Sequence, residues 1–292
     1  MYVPMNTYVC FRNTFFHCIY NFIKHHIVMF KMCTYLCFVF GLLYGSRDLF
    51  YNPQCLLEMP ATATKIFREP EKCDFCRNIA NVDRIENISS TDFHSKYALL
   101  GKPVIVSDGM RDWSAQNEFS FEFFQRLYQN IHGKILSKSC QFFPYKTEFK
   151  NLREVFEMSK SRANLVPGEK PWYVGWSNCM DKAGQYLRKY YSKPYFLGNY
   201  SENIALSWIF MGGPGDGAQM HVDNVLYPSW QAQLKGKKLW KLAPPPECYN
   251  VCQNIEVLVQ PGEIIVIDTN RWYHQTAVLS EVVSITIGSE FD

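Results

Sequence analysis

The order of hydrophobic patterns along this chain predicts a mainly β fold with flanking helices, arranged as a two-sheet jelly roll. Helix-period segments occupy residues 91–191, and after residue 200 the pattern becomes short strands separated by turns. An aromatic content of 16%, with 22 Phe, 18 Tyr and 7 Trp in 292 residues, supplies a large core and excludes general disorder. The net charge of +3 comes without any dense Lys/Arg block, so nothing asks for a nucleic acid partner.

The elements follow in order. Thr91–Tyr97 is expected as a short helix capped by Thr91, ended by Gly101-Lys-Pro103. Val104–Ser107 is a short strand. Ser120–Tyr128 is a helix with Phe121, Phe124 and Leu127 on one face, and helices follow at Leu152–Met158 and Asp181–Tyr191. Ile204–Met211 is an apolar strand. Ser229–Leu234 and Lys237–Leu242 are joined through Lys235-Gly236, which reads as a hairpin. Ile255–Val259, Ile264–Ile267 and Glu281–Ile287 complete the strands.

Residues 1–50 differ in kind. The charge-free stretch Cys33–Tyr44 follows Lys24, His25, His26 and Lys31, and the wider apolar segment at about residues 27–45 is interrupted by Lys31. That is the basic then apolar order of a secretory signal peptide or an uncleaved signal anchor, with Met29 or Met32 as alternative starts. Either form delivers the rest of the chain to the endoplasmic reticulum lumen, and an anchor keeps the N-terminus cytoplasmic. Residues 51–90 form a Cys-containing lead-in to a domain at 91–292.

Seven of the eleven cysteines lie beyond the leader: Cys55, Cys73, Cys76, Cys140, Cys179, Cys248 and Cys252. Cys73-x-x-Cys76 and Cys248-x-x-x-Cys252 are compatible with a four-thiolate zinc site, but an oxidising lumen favours disulfides. No βαβ pattern surrounds Cys73-x-x-Cys76, which argues against a thioredoxin-like motif. Two sequons, Asn87-Ile-Ser89 and Asn199-Tyr-Ser201, accord with the same compartment.

The residues that carry chemistry are His221, Asp223 and, 51 positions further on, His274. On an extended segment His221 and Asp223 project from one face, so both can reach one ion. Two imidazoles and one carboxylate are the donor set of a mononuclear non-haem Fe(II) centre with open positions. The alternative is three unrelated polar residues, with a satisfied core histidine at 274. On strand 237–242, Lys238 shares a face with Trp240 and Leu242. That alternation turns its ammonium inward, where an anion would relieve the cost of burial; the alternative is a lysine snorkelling at the barrel mouth. Ser284 and Thr286 share one face of the last strand and offer hydroxyls beside it.

Trp208-Ile-Phe-Met-Gly-Gly213, His221-Val-Asp223, Ser229-Trp-Gln-Ala-Gln-Leu-Lys-Gly-Lys-Lys-Leu-Trp240, Pro261-Gly-Glu263 and Trp272-Tyr-His274 resemble the Jumonji C, or cupin-like, 2-oxoglutarate oxygenases. The likeness runs from Thr91 to the C-terminus. Phe93–Tyr97, Lys102–Val106 and Asp112-Trp113 resemble the start of that domain. It implies a double-stranded β-helix with His221, Asp223 and His274 as Fe(II) ligands and Lys238, Thr286 and Gln231 as 2-oxoglutarate contacts. It also implies a dioxygenase that hydroxylates a protein or peptide side chain, here in the secretory pathway. Ala218 stands where the family often has threonine, and Gln231 where it often has asparagine. Ala218 favours the competing reading, a lumenal binding module of low or no turnover. A nuclear histone demethylase is disfavoured by the leader, and a cupin of other chemistry by Lys238 with Thr286.

Overall fold

The computed structural model describes residues 70–130, 141–145, 147–178, 182–201 and 206–292. The leader at 1–50, the lead-in up to residue 69, and Cys55, Cys140 and Cys179 lie outside the described residues. Glu71–Asp292 form one compact unit.

Its strands are β1 (Asp83–Ile85), β2 (Val104–Val106), β3 (Phe142–Phe143), β4 (Tyr173–Asn178), β5 (Ser207–Gly212), β6 (Gly215–Asp216), β7 (Ser229–Lys235), β8 (Lys238–Ala243), β9 (Ile255–Val259), β10 (Ile264–Ile267), β11 (Tyr273–Val278) and β12 (Ser284–Glu290). The larger sheet runs β1-β2-β10-β7-β12-β5-β4-β3 and the smaller β6-β11-β8-β9. Every pairing is antiparallel except β1 with β2. This is the expected jelly roll, the double-stranded β-helix of cupin-like folds.

The hairpin expected at Lys235-Gly236 does not form. β7 pairs with β10 and β12 in the larger sheet, whereas β8 pairs with β9 and β11 in the smaller. The chain crosses between sheets at Gly236, whose φ of 73° is the left-handed turn glycine permits. A Cβ there would stand 2.9 Å from the Ser284 backbone, so the glycine also permits close approach to β12. A turn signal marks a reversal, but both sheets of a jelly roll can accept the returning strand.

Alternation sorts the core into two layers. One face of the larger sheet, with Val174, Trp176, Ile209, Met211, Ala232, Ile264 and Ile287, packs under the helical layer that carries Phe121, Phe124 and Val155. Burying each large side chain of this kind contributes roughly 1.5–3 kcal/mol. The helix Phe121–Asn130 begins one residue inside its expected start. The first helix is capped by Ser89, which accepts from the Asp92 N–H, and not by Thr91; it runs Ser90–Phe93 and widens into a π turn over His94–Ala98. The last helix is shorter than expected, Lys182–Leu187, and leaves Tyr191 free to bond Ser207 and Asn178.

Between the sheets, Ile105, Ile265 and Ile267 meet Trp240, Leu242, Ile255 and Val259. This apolar plug also takes in Phe75 and the four sulfurs of Cys73, Cys76, Cys248 and Cys252. Cys73 is bonded to Cys248 and Cys76 to Cys252, so these cysteines are disulfides and not a thiolate set. The bridges span separations of 175 and 176 residues. Polar side chains gather elsewhere in the inter-sheet space.

Candidate active site

His221 and His274 face each other in an isolated antiparallel bridge: His221 N donates to His274 O at 3.0 Å and His274 N to His221 O at 2.8 Å. The bridge sets the ring centroids 4.2 Å apart. Asp223, two residues along from His221, is held by its N–H donating to Thr269 O at 2.9 Å. Its carboxylate lies 3.2 Å from His221 Nε2 through Oδ1 and 3.9 Å from His274 Nε2 through Oδ2. One donor atom from each of the three lies within 4.8 Å of the others.

Both imidazoles have their second nitrogen committed. His221 Nδ1 is 2.6 Å from Gln219 O, and His274 Nδ1 is 3.2 Å from Trp272 O. An Nδ1–H donated to a carbonyl leaves the Nε2 lone pair on the Asp223 side, the tautomer a metal ligand needs. Burial holds His274 down at about 4, so that imidazole is neutral at physiological pH. His221 shifts upward, because its protonated form, which alone carries an Nε2–H, can also donate to Asp223, and this outweighs the smaller effect of burial. Burial pushes Asp223 up, but the His221 hydrogen bond and the charges of both imidazoles prevail and its carboxyl sits below the usual range. The side chains of His221 and Asp223 remain 38% and 31% exposed, while that of His274 is 4% exposed and stacked on Trp240 at 5.7 Å. Two neutral-capable nitrogens and a carboxylate, open on one side, fit a divalent metal with vacant positions.

A second polar group lies between the sheets. Lys238 is 1% exposed, as its alternation with Trp240 and Leu242 required. Its ammonium donates to the neutral Thr286 hydroxyl and stands 5.5 and 5.7 Å from the Tyr173 and Phe210 ring centroids. Burial alone pulls it down to about 7. Thr286 donates to Gln233 Oε1 at 2.9 Å, and Gln233 Nε2 donates to Ser284 Oγ at 2.9 Å. The Pro261-Gly-Glu263 turn anchors this glutamine by its backbone: Gln233 N donates to Glu263 O and Gly262 N to Gln233 O. A buried ammonium hydrogen-bonded to hydroxyl and amide groups fits the far carboxylate of a dicarboxylic acid.

Sequence reasoning expected Gln231 in this network. Gln231 lies on the same face of β7, beside Gly288, but among the described residues no hydrogen bond joins it to Lys238 or Thr286. The amide that does so is Gln233, two residues on, and the period of 2 along the strand is the signal that marks it. Tyr145 was also missed. It packs on Tyr173 at 5.5 Å and Phe210 at 6.3 Å, the two rings beside Lys238, and its hydroxyl is pushed up by burial and then by the Asp223 charge. Thr276, opposite Ala218, offers a hydroxyl that accepts from Ala218 N at 3.2 Å. A hydroxyl therefore stands beside the position where the family's threonine is absent.

Residues 90–254 match the model of the cupin-like domain. The chain is 23% identical over 242 residues to the arginine-specific demethylase JMJ22 of Arabidopsis thaliana, covering 70% of this chain and 45% of that protein. It is 30% identical over 172 residues to the lysine-specific demethylase JMJ21 of the same plant, covering 56% and 17%. With the 2-oxoglutarate and iron-dependent oxygenase JMJD4 of Gallus gallus the identity is 22% over 251 residues, covering 70% and 58%. The chain thus spans less than two thirds of each of these relatives. Among solved structures, that of YcfD, a ribosomal oxygenase from Escherichia coli, aligns with a TM-score of 0.44 at 15% identity, covering 70% of this chain and 51% of that one. With more than half its length matched by the family model, the chain belongs to the cupin-like domain family.

Proposed function

We propose that this protein is an Fe(II)- and 2-oxoglutarate-dependent dioxygenase that hydroxylates a protein side chain in the secretory pathway. The observation that carries the reading is the pairing of a two-histidine, one-carboxylate donor set with a separate buried ammonium that meets no carboxylate partner in its hydrogen bond. One serves a metal and the other an anionic cosubstrate. His221, Asp223 and His274 would hold the iron, and Lys238 with Thr286 would hold the distal carboxylate of 2-oxoglutarate. When bound, that pair supplies oxidative decarboxylation, in which O2 gives one oxygen atom to succinate and the other to a C–H bond.

The protein's part is geometric and electrostatic. The carbonyls of Gln219 and Trp272 fix the ring orientations of His221 and His274. Thr286 and Gln233 hold the Lys238 ammonium in place before ligand arrives, so little reorganisation is required on binding. Tyr145, Tyr173 and Phe210 shield that end from water, which strengthens each charge interaction within it.

The arginine- and lysine-specific names of two relatives support a protein-borne side chain as substrate. The N-terminal leader, as signal peptide or anchor, supports a lumenal site for the 91–292 domain, and the disulfides accord with an oxidising compartment. The competing reading, a binding module without turnover, rests on Ala218. Succinate release from 2-oxoglutarate separates the two. Anaerobic addition of Fe(II) and 2-oxoglutarate should give a weak visible charge-transfer band, absent in His221→Ala; a wild type without that band refutes the dioxygenase reading.

A further inference from the structure

Residues 71–79 precede the part of the chain matched to the family, yet they reach the triad in two steps. The turn at residues 268–272 touches two of the three triad members. Thr269 O accepts from Asp223 N, and Trp272 O faces His274 Nδ1. Arg271 N and Trp272 N both close that turn onto Asp268 O, at 3.1 and 2.9 Å. The far side of the turn is covered by Phe75. Its ring meets Trp272 edge-on at 5.3 Å, and the Arg271 guanidinium lies 4.0 Å over its face. Arg271 Nε also bonds the Glu71 carboxylate at 2.9 Å. Trp272 is fully buried, so it cannot shift its carbonyl without displacing Phe75.

Phe75 itself sits inside a clasp. Cys73 and Cys76 flank it, and their bonds to Cys248 and Cys252 tie it to the short 3-10 turn Pro246–Cys248 and the residues after it. A three-residue 3-10 turn such as Cys73–Phe75 has almost no stability of its own, so the two bridges are what keep the ring on Trp272.

We infer that Phe75 is a positioning residue for the iron site, held there by the Cys73–Cys248 and Cys76–Cys252 bridges and acting through Trp272 on the orientation of His274. This rests on the proposed iron site. Truncating the side chain to a methyl empties the space against Trp272, frees the turn, lets the Trp272 carbonyl wander, and leaves the His274 imidazole without a fixed tautomer or direction, whereas a leucine still fills that space. Groups that orient a metal ligand typically contribute about 10–100-fold in metal affinity.

The test uses the full chain as wild type, Phe75→Ala, Phe75→Leu, and wild type treated with a dithiol that is then removed. In that treatment each S–S bond takes two electrons and two protons from the dithiol, which leaves as its own disulfide. Two quantities are read: the anaerobic Fe(II) midpoint at saturating 2-oxoglutarate, and amide hydrogen exchange in the metal-free protein. Phe75→Ala and the reduced protein should bind Fe(II) about ten-fold or more weakly, with Phe75→Leu close to wild type. In metal-free protein, exchange at the Asp223 and His274 amides should accelerate while that of β4 and β5 stays unchanged. A midpoint within about two-fold of wild type, or exchange that rises uniformly over the domain, overturns the inference. If Phe75→Ala does not fold, the reduced wild type decides by the same two readings. Wild type that binds no Fe(II) refutes the iron site itself, and the exchange comparison then still decides whether Phe75 holds the turn.

Discussion

Lys238 on β8 of the smaller sheet donates its ammonium hydrogen bond to Thr286 on β12 of the larger one. The bond crosses the inter-sheet space and meets a neutral hydroxyl, so among the described residues the charge is met by that hydroxyl and the Tyr173 and Phe210 rings and by no carboxylate. An arrangement of this kind disfavours the empty protein and favours an anion. Lys238→Met keeps the stem and removes the charge. It should raise the Tm of the metal-free protein by a few degrees, in line with the roughly 1–4 kcal/mol recovered when buried charges give way to packed apolar groups. It should also weaken 2-oxoglutarate by on the order of 100-fold. Thermal unfolding and a cosubstrate titration check both; a lower Tm with unchanged affinity would refute the anion role.

The same ammonium makes binding pH-dependent. In the empty protein Lys238 titrates at about 7, against an ordinary value of 10.5. Between those values the unfolded chain carries a proton that the folded chain lacks. This group therefore makes the metal-free protein more stable as pH rises from about 7 towards 10.5, and its penalty is fully present below about 7. A dicarboxylate restores the charged form, so binding at pH 8 should take up close to one proton and binding at pH 6 almost none. Calorimetry in buffers of different ionisation enthalpy measures this uptake, and Lys238→Met should abolish it.

Which parts were legible in the sequence follows from the range of the interaction. The strand period of 2 placed His221 with Asp223 and turned Lys238 inward beside Trp240, and both hold. Gln231 was expected from the family resemblance alone; Gln233 shares its face of β7, and only the position of Thr286 on the neighbouring strand singles it out. Lys235-Gly236 announced a turn, but which sheet receives β8 depends on β9 and β11, far along the chain. Tyr145 and Thr269 carry no local pattern at all, since their relation to Asp223 arises only when distant loops close on it. The cysteine pairing was undecidable for the same reason.

Gly212 marks a close approach between β5 and the start of β4. A Cβ there would stand 2.5 Å from Trp172 O and 2.6 Å from Tyr173 Cα, both backbone atoms that cannot swing aside. Gly212→Ala should destabilise the domain by about 1–3 kcal/mol, the usual cost of overpacking. Because Tyr173 faces Lys238, it should also weaken 2-oxoglutarate binding. Gly168→Ala meets no atom within 4 Å and bears only the strain of a φ of 93°, so denaturant midpoints should rank it well above Gly212→Ala.

The support of β4 contains an acid-sensitive pair. Arg162 is buried and grips Glu148 with two bonds at 2.7 and 3.0 Å, while it also donates to Lys170 O at 3.0 Å and Pro171 O at 3.3 Å. Trp172 Nε1 in turn donates to Arg162 O at 3.2 Å, so this guanidinium braces the residues leading into Tyr173. The Arg162 hydrogen bonds hold the Glu148 carboxyl down to about 2, below the ordinary 4.5. The folded protein is thus the weaker proton acceptor at this group. The stability it contributes is present above about 4.5 and is lost as pH falls towards 2. Glu148 is half-exposed, so water and salt reduce the effect. Glu148→Gln should flatten the stability slope between pH 4.5 and 2 and leave stability at pH 7 only slightly lower, because the amide oxygen still accepts from Arg162. Chemical denaturation across that range checks it, and an unchanged slope would show that the guanidinium is held by the Lys170 and Pro171 carbonyls alone.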